Sequence, residues 1–139
     1  IDDHSIGPDY RLRLPYVPPV EPLPEALIKA VPAAMRSLIP LPLEEALVLA
    51  GKEFGWREIP KDAFYGRLQG YFQTEEPQWE LVHLPSGVRA GETDDFAPSR
   101  VAIWGRAHVV SAEVFLDIHL QPGEAKTWSR RYEFSKTRP

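Results

Sequence analysis

The spacing of apolar positions divides the chain near residue 60. Before it, Leu27, Val31, Ala34, Met35 and Leu38 fall on one helical stripe, and Leu43, Ala46, Leu47, Ala50 and Phe54 on a second. Pro32 interrupts the first stripe, and an interior proline costs roughly 3 kcal/mol. The expected outcome is two short pieces, with Pro32 in the first turn of the second. The other stripe predicts a helix from near Pro42, with Glu44 and Glu45 at its positive end and Gly51 or Gly55 closing it.

From Ala63 onward the period falls to two. Phe64–Phe72 and Gln78–Leu84 read as a hairpin across the polar loop Gln73–Pro77, and Pro85-Ser-Gly87 as a turn. Val88–Pro98, with Gly91, Glu92, Asp94 and Asp95, reads as an exposed loop. Arg100–Val110, Glu113–Leu120 and Lys126–Phe134 are expected strands. In the first of these, Val101, Ile103, Gly105, Ala107 and Val109 alternate with Arg100, Ala102, Trp104, Arg106 and His108. In the second, Val114, Leu116, Ile118 and Leu120 alternate with Glu113, Phe115, Asp117 and His119. A tight turn at Ser111-Ala112 would pair Val109 with Val114, His108 with Phe115, Arg106 with Asp117 and Trp104 with His119. Opposite charges across a ladder contribute roughly 0.2–1 kcal/mol. The expected core is Leu47, Phe54, Leu68, Leu81, Val101, Ile103, Leu116, Ile118, Leu120 and Trp128.

Proline changes the picture at the N-terminus. Eight of the fifteen prolines lie between Pro15 and Pro42. The stretch from Leu14 to Pro24 is expected to be extended, because each proline fixes φ and forces its predecessor out of the α region. Leu12, Leu14, Tyr16, Val17 and Val20 give it apolar anchors, so it reads as a strap across the domain or as a segment that docks on a partner.

Composition and charge exclude several classes. A chain of 139 residues fits one domain with a real core. A net charge of −4 gives no general pull toward nucleic acid or anionic membrane. The absence of cysteine removes disulfides, thiolate metal sites and thiol nucleophiles. No apolar run approaches the roughly 20 residues that span a bilayer, and the polar start Ile1-Asp-Asp-His4 does not read as a signal peptide. A soluble protein is expected, with the cytoplasm slightly favoured. There is no phosphate loop and no serine nucleophile elbow. Asp117, His119 and His108 could approach a metal ion from one sheet face, but the spacing is short and common, so no metal and no cofactor are expected.

The polar sheet face expected from the strand pattern gathers Trp104, Arg106, His108, Glu113, Asp117 and His119. Sugars need flat apolar surfaces beside directional polar groups, and this set supplies both; a solvated outer face is the plainer reading. Gln121-Pro-Gly-Glu124 suits a type II turn. The run Leu120-Gln-Pro-Gly-Glu124, followed by Trp128 and the closing Tyr132-Glu-Phe134, resembles the C-terminal hairpin of the galactose mutarotase (aldose 1-epimerase) superfamily, over about residues 100–134. The resemblance implies a glutamate base acting on the anomeric hydroxyl and a histidine acid acting on the ring oxygen. Glu113 matches the base by its place before the turn, and His83 or His108 could serve as the acid by residue type.

The expected fold class is α+β, mainly β: a proline-rich arm over residues 1–24, then one domain over 25–134, then a tail over 135–139. Within the domain, residues 25–56 are expected to be helical and 63–134 to form an antiparallel β-sandwich or partly open barrel. The expected function is that of a carbohydrate-related, mutarotase-like domain, or the sugar-binding part of a larger enzyme acting at an anomeric centre. Glu113, His83 and His108 would be catalytic, and Trp104, Arg106, Asp117 and His119 would bind substrate. The alternative is a non-catalytic accessory or interaction subunit that meets a protein partner, or another copy of itself, through residues 10–24.

Overall fold

The computed structural model describes residues 5–21 and 25–137, with the side chains of residues 27, 37 and 38 left aside. It is mostly β, with two short helices. The first sheet has six strands in the order β11-β8-β7-β1-β5-β4: β11 (Arg130–Lys136), β8 (Val88–Asp94), β7 (Trp79–His83), β1 (Tyr10–Arg13), β5 (Glu53–Trp56) and β4 (Leu47–Ala50). The second runs β10 (Val109–Phe115), β9 (Arg100–Arg106), β6 (Phe64–Leu68) and β2 (Val20–Glu21), with β3 (Leu41–Pro42) paired to β6. All pairings are antiparallel except β3 with β6, and neither sheet closes into a barrel.

One core cluster joins the two sheets. Leu12, Leu47, Phe54 and Trp56 come from the first, and Phe64, Leu68, Val101 and Ile103 from the second. Alternation explains the choice: Leu12 pairs with Phe54 on one side and Leu81 on the other, while Leu68 pairs with Val101. Each such side chain contributes roughly 1.5–3 kcal/mol on burial.

Several expectations change here. The stretch 10–21 is built into both sheets rather than standing apart as an arm. β1 is an interior strand, Leu12, Leu14 and Tyr16 are buried, and Val20 pairs with Leu68; of the five apolar anchors only Val17, at 59% exposure, faces out. Residues 1–4 and 22–24 lie outside the described residues. The interrupted stripe does form two pieces, α1 (Glu25–Ala30) and a 3-10 turn (Ala33–Leu38) with Pro32 at its N-cap. Ala34 and Met35 of this stripe face solvent, however, and are not core.

The second expected helix is only one turn, α2 (Leu43–Ala46), with Glu44 and Glu45 at its start. From Leu47 the chain becomes the β4–β5 hairpin, because Gly51 takes φ +63° in a two-residue turn while Lys52 does not take a positive φ. That is the type II′ pattern, which matches the twist of the flanking strands.

Further along, Phe64–Leu68 and Trp79–His83 do not pair with each other: they lie in different sheets, and residues 69–78 carry the chain between them. The segment expected as an exposed loop, 88–98, is largely β8, paired with β7 and β11. The turn before β8 forms as expected, with Gly87 at φ +72° donating its N–H to His83 O at 2.8 Å. The Pro-Gly turn forms too: Gly123 has φ +86°, and Glu124 N–H reaches Gln121 O at 3.0 Å. Its flanks, residues 116–129, are not strands, and Ile118, Leu120 and Trp128, expected in the core, are 39%, 49% and 41% exposed. Residues 135 and 136 belong to β11 rather than to a tail. Among the described residues no helix is long and apolar enough to cross a membrane.

Candidate functional site

The turn between β9 and β10 falls at Ala107-His108, not at Ser111-Ala112. Arg106 pairs with Val109, Trp104 with Ser111, and Glu113 with Ala102. The expected cross-strand pairs Arg106–Asp117 and Trp104–His119 are therefore absent. Asp117 and His119 are exposed in the segment 116–129, and His108 sits in the turn itself. Trp104 is half-buried opposite Tyr65, on the face of the second sheet that points away from Val101 and Ile103. Glu113 shares that face. Arg106 is exposed beside the turn.

His83 is in the other sheet, on its inner face, tilted against Tyr10 at 4.8 Å between ring centres, with Nδ1 2.7 Å from Ser86 Oγ. Glu113 and His83 thus belong to different sheets and to opposite kinds of face. Among the described residues no three His, Asp or Glu side chains converge as a metal site.

The structure instead gathers chemistry where β8 and β11 extend the inner face of the first sheet. Alternation along β8 turns Ala90, Glu92 and Asp94 inward, and the register sets Glu92 opposite both Trp79 and Tyr132, with Asp94 opposite Arg130. A cleft of about 290 Å³ opens there between the sheets. Leu12, Leu81 and Ala90 form its floor, Val110 and Ala112 of β10 its far side, and Trp79, Glu92 and Tyr132 give it polar and aromatic walls.

Two carboxyl groups define its electrostatics. Glu92 is 3% exposed: Oε2 accepts from Arg130 Nη1 at 3.1 Å, and Oε1 lies 3.4 Å from the Trp79 indole N–H. Gln78 N–H also holds the Glu92 backbone carbonyl at 2.7 Å, which fixes the strand at this point. Asp94, 5% exposed, has neither carboxylate oxygen paired among the described residues. Burial, and then the neighbouring Glu92, push the Asp94 carboxyl up to about 7, with Arg130 opposing. Asp94 is therefore poised to hold a proton near neutral pH.

The rest of the wall is held by ordinary packing. The Arg130 guanidinium lies 5.0 Å from the Phe96 ring centre, which keeps it turned toward Glu92. Partial burial, followed by the Glu92 charge, raises the Tyr132 phenol. Asp95 faces the other way. Its carboxylate accepts from the backbone N–H and the hydroxyl of Ser129 at 2.9 and 2.7 Å, which lowers its pKa and pins the start of β11.

Sequence reasoning missed Trp79, Glu92, Asp94, Arg130 and Tyr132 as a group. A signal was present: Glu92 and Asp94 are spaced by two, as are Arg130 and Tyr132, which puts each pair on one strand face. Comparison with protein-family models, with curated proteins and with solved structures gives no match for this chain.

Proposed function

We propose that this chain is a carbohydrate-binding, mutarotase-like domain, and that its sugar site is the cleft between the sheets. The observation that carries the reading is the juxtaposition of the Trp79 and Tyr132 rings with the Glu92 carboxylate on one wall, Glu92 being held by Arg130. Sugar rings present C–H faces to aromatic side chains and hydroxyls to charged hydrogen-bonding groups, so one wall serves both ends of the ligand. The volume lies at the lower end of small-molecule pockets, which run roughly 300–1,000 Å³. A monosaccharide or one terminal sugar unit suits it. We also read the two sheets as a β-sandwich of mutarotase ancestry, in keeping with the Leu120-Gln-Pro-Gly-Glu124 turn.

In the enzymatic form of this reading, Glu92 takes over the base role that the resemblance implied for Glu113. It accepts the anomeric hydroxyl proton while the ring C–O bond breaks, and the Tyr132 hydroxyl donates a proton to the departing ring oxygen. After rotation about the C1–C2 bond the ring-forming hydroxyl attacks the other face of the aldehyde and loses its proton to the Tyr132 phenolate. Glu92 returns its proton to the carbonyl oxygen, which gives the second anomer and resets both groups. Asp94 stands behind Glu92 and limits how much negative charge the wall holds.

The test has two parts. Chemical shifts of Trp79, Glu92 and Tyr132 are followed while common aldoses are titrated, and exchange between α and β anomers is measured by NMR with and without protein. Saturable shifts at these residues, lost in Trp79→Ala, support the binding site. Shifts that stay elsewhere, or are unaltered by that substitution, refute it. Anomer exchange equal in wild type, in Glu92→Gln and in buffer alone removes the enzymatic form.

A second reading, an interaction subunit, is favoured by one observation. Tyr132 and Phe134 on edge strand β11 are 53% and 78% exposed, and Trp128 and Leu120 in the preceding segment are exposed as well. The apolar surface for a partner then lies at residues 116–136, rather than in the proline-rich stretch first considered for it.

A further inference from the structure

A second concave site lies on the opposite face of the first sheet, at the turn between β7 and β8. It holds about 430 Å³, and its lining includes Arg13, Arg89, Lys136, Thr137, Val82 and Leu84, with no acidic residue. We propose that it binds the phosphate group of a small phosphate monoester, with the apolar floor receiving the attached carbon skeleton.

The charges on this face support that choice. Arg11 and Arg13 reach Glu53 at 3.8 and 3.2 Å, and Arg13 and Arg89 reach Glu80 at 3.9 and 3.3 Å. Arg131 and Glu133 of β11 stand on the same face, 3.1 Å apart, so four arginines face three carboxylates, on a chain whose net charge is −4. The surplus positive charge on this face attracts a phosphate monoester, which carries about −1.5 to −2 at neutral pH.

The donors are also incompletely used. Glu80 engages Arg89 through Nη1, whereas Arg89 Nε is buried with no partner among the described residues. A buried guanidinium N–H without an acceptor is costly, and an anion seated beside it supplies one. The cross-strand pairing of Arg13 with Glu80 and of Val82 with Arg89 fixes the two arginines on rigid strands, so the site is assembled before any ligand arrives.

The experiment is a two-dimensional amide NMR titration of the full chain with inorganic phosphate, glycerol phosphate and acetate at neutral pH. Saturable shifts centred on residues 86–89 and 136–137 are expected, stronger for the two phosphates than for acetate. Arg13→Gln and Arg89→Gln should each weaken binding roughly ten-fold, and Arg89→Lys by less. Arg13 is the last residue of β1 and its side chain is 40% exposed, so its substitution leaves the fold intact and keeps the test decisive even if Arg89→Gln loosens the sheet. Shifts that never saturate, that map elsewhere or that both glutamine variants leave unchanged would overturn the proposal, as would acetate binding as tightly as phosphate. So would retention on phosphatidic acid vesicles, against phosphatidylcholine controls, with no response to either soluble phosphate.

Discussion

Arg130 is the cation that makes a buried Glu92 tolerable: its Nη1 stands 3.1 Å from Glu92 Oε2, on a side chain only 4% exposed. Removing one partner of such a pair leaves the other charge without compensation. Arg130→Gln should cost about 3 kcal/mol in urea unfolding, and adding Glu92→Gln should recover part of that loss. A single-variant cost below about 1 kcal/mol would place the pair among weak surface bridges.

Asp94 sets a pH dependence of definite sign. Its folded pKa, about 7, lies above its ordinary 3.8, under burial, Glu92 and Asp95, with Arg130 opposing. Below the ordinary value both folded and unfolded chains are protonated, and this contribution to stability is fully present. As pH rises toward 7 the unfolded chain ionises first, so stability falls, and above 7 the loss is complete. Asp94→Asn should abolish this decline in a series of thermal melts. Asp95 works in the opposite sense: held low by Ser129, its contribution is present at neutral pH and lost on acidification. A wild-type profile that rises from pH 4 to 7 while Asp95→Asn still rises would contradict the assignment to Asp94.

Gly105 is a packing requirement. A Cβ there would collide with the Phe64 ring and come within 3.0 Å of Val109 O. Gly105→Ala should destabilise by roughly 1–3 kcal/mol. Gly55, whose nearest neighbours are the flexible Arg11 side chain at 3.5 Å, should accept alanine within about 0.5 kcal/mol. Denaturant midpoints of the two variants compare them directly.

Phe134, at 78% exposure on an open sheet edge, contributes little to the core. Phe134→Ser should leave the melting temperature nearly unchanged, within about 0.5 kcal/mol, yet reduce self-association measured by light scattering at high concentration. A large loss of stability would mean that this ring is covered.

The sequence read the core better than the connections. Leu68, Val101 and Ile103 are buried as their alternation implies, and Leu47 and Phe54 are buried too, but in strands rather than on the expected helical stripe. The β9–β10 hairpin was legible in its faces but not in its register. The true pairing differs from the expected one by an even number of residues, and alternation is blind to such a shift. The turn Ala107-His108 has no positive φ and no glycine, so no local signal marked it. β8 was hidden for a different reason. Its inward positions include Glu92 and Asp94, so a strand read by hydrophobicity looks like an acidic loop. The candidate cleft was illegible because its walls come from segments far apart in the chain, and Glu113, matched by position in a motif, faces away from it.

The place of β1 governs the order of assembly. The earliest of the described strands lies between β5 and β7, so its two ladders close over residues far downstream. Until Trp79–His83 has been made, Tyr10–Arg13 has a partner on one side only. Such long-range closure slows folding compared with a chain of local hairpins. During synthesis β1 therefore waits, half-paired, until His83 has been added.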